Sequence, residues 1–252
     1  MEEQFNKGLP GSRPPIHQVP GRKEQVRDMF DSIAGRYDFL NHFLSLGIDR
    51  IWRKKLISRM AADKPSKILD LASGTADLAI EAARATQAFI TGTDISAEML
   101  AFGREKIRDL GLEERIILLI ADSEHLPFGD NSYDAAMVAF GVRNYENLQE
   151  GLDEMNRVLK PGGKAYILEF AKPGLFPVKQ LFSLYFRFVL PLLGKLISKH
   201  RSAYTYLPES VSVFPQGEDF CVLMTKSGFS DVAYSKLSFG IAMLYTGVKM
   251  NS

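Results

Sequence analysis

From Lys67 onwards, short continuous apolar runs alternate with stretches of helical spacing, and that alternation predicts an α/β sheet. The runs at 68–71, 88–94, 116–121, 134–140 and 164–170 read as buried strands. Residues 77–88, 97–110 and 148–159 repeat apolar positions every three to four residues and read as helices, the last stopped by Pro161-Gly162-Gly163. Strands that alternate with helices in this way imply a parallel sheet covered on both faces. After a helix around 216–227, two final runs at 231–237 and 241–249 are joined near Ser238-Phe239-Gly240. They are expected to form a hairpin completing a seven-stranded sheet whose last strand is antiparallel.

Two regions break this rhythm. Helical periodicity starts near Lys23 with Val26, Met29, Phe30 and Ile33, then restarts through Leu40, Phe43, Ile48, Trp52 and Leu56, so short helices over 22–62 precede the sheet. Residues 1–21 are polar and proline-rich, which predicts a mobile extension and no secretory leader. Residues 174–206 form an insertion whose apolar stretch at 181–197 is interrupted by Arg187, Pro191 and Lys195, too broken for a membrane span. A helix pair acting as a lid over the site is expected there. Six basic residues and no acidic one between Lys172 and Pro208 add an interfacial reading, in which 176–200 meets anionic lipid head groups. The expected organisation is one domain over 22–252.

Composition narrows the function classes. Thirty-one basic residues against thirty acidic ones leave no broad cationic face for nucleic acid. A single cysteine, Cys221, excludes an intramolecular disulfide framework and suits a reducing, cytoplasmic setting. His17, His42, His125 and His200 lack ligand spacing, so no metal site is assigned.

The chemistry concentrates at strand ends. Asp70 closes the first strand and opens the turn Ser73-Gly74-Thr75-Ala76-Asp77, Asp94-Ile95 ends the second strand twenty residues after Gly74, and Asp122-Ser123 ends the third. Singly, each aspartate is an ordinary turn residue; together, at successive strand ends, they mark a nucleotide-like cofactor. Asp94 is placed to accept from both ribose hydroxyls, and Asp122-Ser123 to bond an adenine edge. Two features favour S-adenosylmethionine over NAD. Asp70 would repel a pyrophosphate yet can help hold an ammonium, and the turn keeps one glycine of G-x-G-x-x-G, with Ala72, Ala76 and Ala79 as other small residues. Ala76 is acceptable there if its φ is negative. The fourth strand, beside the first, ends in Phe140-Gly141-Val142-Arg143-Asn144, which puts a guanidinium and an amide near the transferable methyl. Equally, Arg143 could salt-bridge a helix and Asn144 cap one.

Beyond these motifs the sequence resembles the ubiquinone and menaquinone biosynthesis C-methyltransferases. The string from Arg36-Tyr37-Asp38 through Asn41 and Ser45 to Trp52 resembles that family's first signature, and Arg157 to Gly163 with Leu168-Glu169-Phe170 its second. Phe140 to Asn144, Tyr206-Leu207-Pro208-Glu209-Ser210-Val211, Phe214-Pro215 and Gly228-Phe229 match as well. Departures are Ala76 for glycine, Ser212 for arginine and Ala139 for serine. The resemblance implies a Rossmann-like class I methyltransferase and transfer from S-adenosylmethionine to a ring carbon of a prenylated quinol such as demethylmenaquinol. A phenol ionises near pH ~10, so reaching the phenolate at neutrality takes roughly 4 kcal/mol. One arginine supplies about 1 to 3 pKa units, so Arg143 is expected to act with Asn144 and Tyr37. Methylation of another small lipid or polyketide, or a catalytically silent quinone-binding or membrane-binding subunit, remain the alternatives; the acceptor ring and any oligomeric state stay open at this level.

Overall fold

The computed structural model describes residues 21–38, 45, 47–185, 188 and 202–251. The expectations for residues 1–20 and for most of 186–201 fall outside them. The elements are α1 (Arg22–Ile33), a 3-10 turn (Ala34–Arg36), α2 (Ile48–Ala62), β1 (Lys67–Leu71), α3 (Asp77–Ala85), β2 (Phe89–Asp94), α4 (Ala97–Asp109), β3 (Ile116–Ile120) and β4 (Tyr133–Ala139). They continue with a second 3-10 turn (Val142–Asn144), α5 (Leu148–Val158), β5 (Leu159–Phe170), α6 (Val178–Leu184), α7 (Ser202–Val213), α8 (Glu218–Lys226), β6 (Phe229–Leu237) and β7 (Ala242–Lys249).

The seven strands run β3-β2-β1-β4-β5-β7-β6, with β7 antiparallel to both neighbours. Strand order reverses between β1 and β4, so their carboxyl ends diverge and leave a crevice. Apolar cores lie on each side of the sheet, one around Ile68, Ile90, Leu100 and Tyr166, the other around Leu69, Leu71, Val138 and Phe220. Alternation of side chains along β1 sends Ile68 to one core and Leu69 to the other, as the strand period of two requires.

Three expectations need correction. Coverage of both faces fails beside β3: the connection over 121–132 contains no helix, and Phe89, Ile117 and Leu119 are exposed. The Pro161-Gly162-Gly163 segment does not stop α5, which ends at Val158; it lies within β5, where the register against β4 shifts between Tyr133 and Ala135. A Cβ on Gly163 would stand 2.8 Å from Lys160 O, so this irregular entry needs a glycine.

The third correction concerns Ala76, whose φ is +64°. A left-handed alanine carries about 1 to 2 kcal/mol of strain, while its buried methyl contributes about 0.8 kcal/mol and a glycine would cost roughly 0.4 to 1 kcal/mol through the unfolded chain. The opposing contributions nearly cancel. Ala76→Gly is therefore expected to stay within about 0.5 kcal/mol of the parent, whereas Ala79→Gly, inside α3, should lose about 1.5 to 2 kcal/mol. Urea unfolding of both variants checks this, and equal losses would contradict the left-handed turn.

Candidate active site

A cleft opens at the carboxyl ends of β1, β2 and β4, where an open parallel sheet binds its ligands. Gly74, Asp94, Ile95, Asp122 and Ser123 line it, together with Tyr37 and Asn144. Gly74 has φ +55°, a backbone conformation that favours glycine, and a Cβ there would stand 3.3 Å from the flexible end of Met99. Asp94 is held in place by the chain itself: its Oδ2 accepts from Gly74 N–H and its Oδ1 from Ser96 N–H, both at 2.9 Å. Burial raises its pKa above the ordinary carboxylate value. Asp122 has the opposite balance. Burial pushes its pKa upward, but the Lys23 ammonium at 2.6 Å and the Glu124 N–H at 3.0 Å hold it below the usual value.

Three expected site residues do not line the cleft. Asp70 is 1% exposed behind the turn; burial raises its pKa to about 7, and among the described residues its Oδ2 has no hydrogen-bond partner. Thr75 turns away, donating its hydroxyl to Asp38 Oδ1 at 2.5 Å. Arg143 turns into the protein, where its Nη1 donates to Glu169 Oε1 at 2.8 Å and to Phe140 O at 2.5 Å. Its backbone N–H meets Glu169 Oε2 at 3.3 Å, and its guanidinium lies over the Phe170 ring. A buried carboxylate needs a partner, and Arg143 is the cation that meets it, so the expected place facing an acceptor is not the one it occupies. The salt bridge is to a strand residue rather than a helix, and the residue capping α5 is Asn147, not Asn144.

Sequence reasoning missed part of the lining. Lys23, Val26 and Phe30 of α1 line the cleft, and so do Glu124 and Tyr145. The helical spacing from Lys23 was legible, but which surface it covers was not. Tyr37 packs edge-on against Phe30 at 5.8 Å between ring centroids. Asp31 accepts from Ser96 Oγ at 2.5 Å and so ties α1 to the start of α4.

The lining suits a cation. Asp94, Asp122 and Glu124 face Lys23, an excess of carboxylates that a pyrophosphate would meet with repulsion and a sulfonium or ammonium with attraction. The buried Tyr145 hydroxyl, beside Ser123, adds a further polar group to this lining. These residues fit S-adenosylmethionine, and they fit NAD poorly.

The family model described as the ubiE/COQ5 methyltransferase family matches residues 19–249. The chain belongs to the ubiE/COQ5 methyltransferase family. It is 50% identical over 229 residues to a demethylmenaquinone methyltransferase of Bacteroides fragilis, covering 90% of this chain and 94% of that one. It is 45% identical to a ubiquinone/menaquinone biosynthesis C-methyltransferase UbiE of Geobacter sulfurreducens, over 93% and 92% of the two chains. Among solved structures, a SAM-dependent methyltransferase from Aquifex aeolicus superposes with a TM-score of 0.55 at 14% identity, over 76% of this chain and 88% of that one. That likeness concerns the Rossmann-like class I fold.

For this ubiE/COQ5 member, part of the Tyr37 to Trp52 string now has a physical role. Asp38 receives Thr75 of the cofactor turn and Lys106 Nζ at 2.9 Å. Asp49 receives Ser45 and Arg53, each at 2.5 Å, and Arg53 continues to Asp77 at 2.7 Å. Lys106 also pairs with Asp77, the first residue of α3. These ion pairs tie the segment ahead of the sheet to the turn that shapes the cleft.

Proposed function

We propose that this chain transfers a methyl group from S-adenosylmethionine to a ring carbon of a prenylated quinol, demethylmenaquinol above all. The observation that carries the reading is the acidic cleft at the β1/β4 switch point, with an amide and a phenol, Asn144 and Tyr37, on its wall. The cofactor would supply an electrophilic methyl group and depart as S-adenosylhomocysteine; the quinol hydroxyl releases its proton to water, and the proton on the methylated ring carbon then moves to the oxygen as the ring regains aromaticity. Asp94 would hold the ribose hydroxyls, Asp122 and Ser123 the adenine edge, and Asp70 would act from behind the turn on the methionyl end. Asn144 and Tyr37 would donate hydrogen bonds to the quinol oxygen as it ionises, which makes the ring carbon nucleophilic. Arg143 acts indirectly, since Glu169 neutralises it, by fixing the backbone of the turn that carries Asn144. The cleft lining would hold ring and methyl in line and exclude water.

Purified protein incubated with S-adenosylmethionine and a short-tailed demethylmenaquinol should yield product one methyl group heavier by mass spectrometry. Absence of product from both naphthoquinol and benzoquinol acceptors would overturn the reading.

A prenylated acceptor resides in lipid, so the reading places the enzyme on the cytoplasmic face of the membrane. Among the described residues no helix is long and apolar enough to cross one. Attachment would be peripheral, through the start of the insertion, where Leu175 and Phe176 are exposed beside Lys172 and Lys179. Co-sedimentation with vesicles should rise with phosphatidylglycerol content, fall with salt and weaken severalfold in Phe176→Ser. Sedimentation indifferent to all three changes would leave 174–206 as a lid alone.

A further inference from the structure

Elements far apart in sequence meet at the turn that carries Asn144. Tyr206, on α7, donates its hydroxyl proton to Asn144 Oδ1 at 2.9 Å. The same hydroxyl oxygen accepts from Arg22 Nη2 at 3.2 Å. Arg22, the first residue of α1 and 4% exposed, also reaches the carbonyl oxygens of Arg143 at 3.1 Å and Tyr145 at 3.5 Å. The turn is therefore clasped by the first and seventh helices.

Hydrogen-bond arithmetic gives this clasp a direction. A guanidinium can only donate, so where Arg22 meets Tyr206 the phenol oxygen must be the acceptor. The single phenolic proton is then left for another acceptor, and the atom in reach is the carbonyl oxygen of the Asn144 amide. With its oxygen committed to Tyr206, the amide has its NH2 to offer to any further partner. Asn144 lines the cleft, and among the described residues its Nδ2 makes only a long 3.5 Å approach to Phe140 O.

We propose that Tyr206 and Arg22 are positioning residues that lock the Asn144 amide with its NH2 toward the acceptor, so that the turn presents donors and never a carbonyl to the ionising quinol oxygen. The inference rests on the quinol reading above. It adds what that reading lacks, a reason for Asn144 to act as donor: a flipped amide would aim an oxygen at a developing oxyanion and oppose its formation. It also links chemistry to closure, because the helix that supplies Arg22 supplies Lys23, Val26 and Phe30 to the cleft wall.

Tyr206→Phe removes one oxygen and keeps the ring. In this variant kcat at neutral pH should fall at least tenfold while cofactor affinity and quinol KM stay near the parent values. The pH at which the rate reaches half its plateau should move up by about one unit, the equivalent of a tenfold loss of phenolate. A merely structural role would lower thermal stability and cofactor affinity together and leave that pH in place. Side-chain amide 15N resonances give a readout that needs no turnover, so the orientation can be decided even if the quinol reading fails. The Asn144 pair should be sharp and slowly exchanging in the parent, and broadened or doubled in Tyr206→Phe and in Arg22→Gln. An Asn144 amide equally ordered in parent and both variants, or an unchanged kcat and pH profile in Tyr206→Phe, overturns the proposal.

Discussion

Arg143→Met should destabilise the protein by about 3 to 5 kcal/mol, because it strands a carboxylate in the interior. Glu169 is 0% exposed and Arg143 6%, so little solvent is at hand to take over the lost interaction. Burial already raises the Glu169 pKa above its ordinary value, with the Arg143 charge and two backbone N–H groups pulling it down. Without the guanidinium the balance tips further, and the folded protein takes up a proton or opens. Adding Glu169→Gln should recover part of the loss, since two neutral groups carry no uncompensated charge. Arg143→Lys should fall between, because an ammonium keeps the charge without the fork that reaches Glu169 and Phe140 O together. Urea unfolding of the two single variants and the double variant measures the coupling. A single-variant loss below about 1 kcal/mol would show that the pair is not what holds the turn.

The second large effect is on cofactor binding. Asp94→Asn preserves volume but replaces an acceptor-only group by one that is half donor. Its NH2 would confront the Gly74 N–H or the Ser96 N–H, each of which now meets a carboxylate oxygen at 2.9 Å. Charge-assisted hydrogen bonds contribute about 1.5 to 3 kcal/mol, so affinity for S-adenosylmethionine should fall roughly ten- to hundredfold. Titration calorimetry on a variant with parental circular dichroism reads this directly. Unchanged affinity would remove Asp94 from the site.

Both predictions depend on how much of the site could be read before folding. Asp94, Asp122 and Ser123 were legible because strand, turn and helix follow one another locally and the carboxyl ends of parallel strands border the crevice, although a strand-end side chain can also turn inward, as Asp70 does. Gly74 was legible for the same reason, and the structure adds that its φ of +55° favours a glycine there. Ala76 was misjudged because a sequence of small residues does not say which of them is left-handed; Ala72, Gly74 and Ala76 all are. Arg143 was placed in the right turn but pointed the wrong way. Its direction is decided by Glu169, twenty-six residues later, and nothing local announces that this carboxylate is buried. Lys23 and Tyr206 were beyond reach for the same reason, being ninety-nine residues from Asp122 and sixty-two from Asn144.

What the sequence by itself determined was the alternation of buried strands and amphipathic helices, the hairpin that ends the sheet, the strand-end carboxylates and, through its motifs, the resemblance to a family. These follow from periodicity and from short-range turn chemistry, which neighbouring residues settle among themselves. Only the tertiary structure decided that α1 walls the cleft, that Arg143 is committed to Glu169, that Asp38 and Arg53 tie the leading segment to the cofactor turn, and that Tyr206 and Arg22 meet at Asn144. Each of those is a pairing of polar groups distant in sequence, and such groups choose partners by which surfaces the packed apolar core brings together.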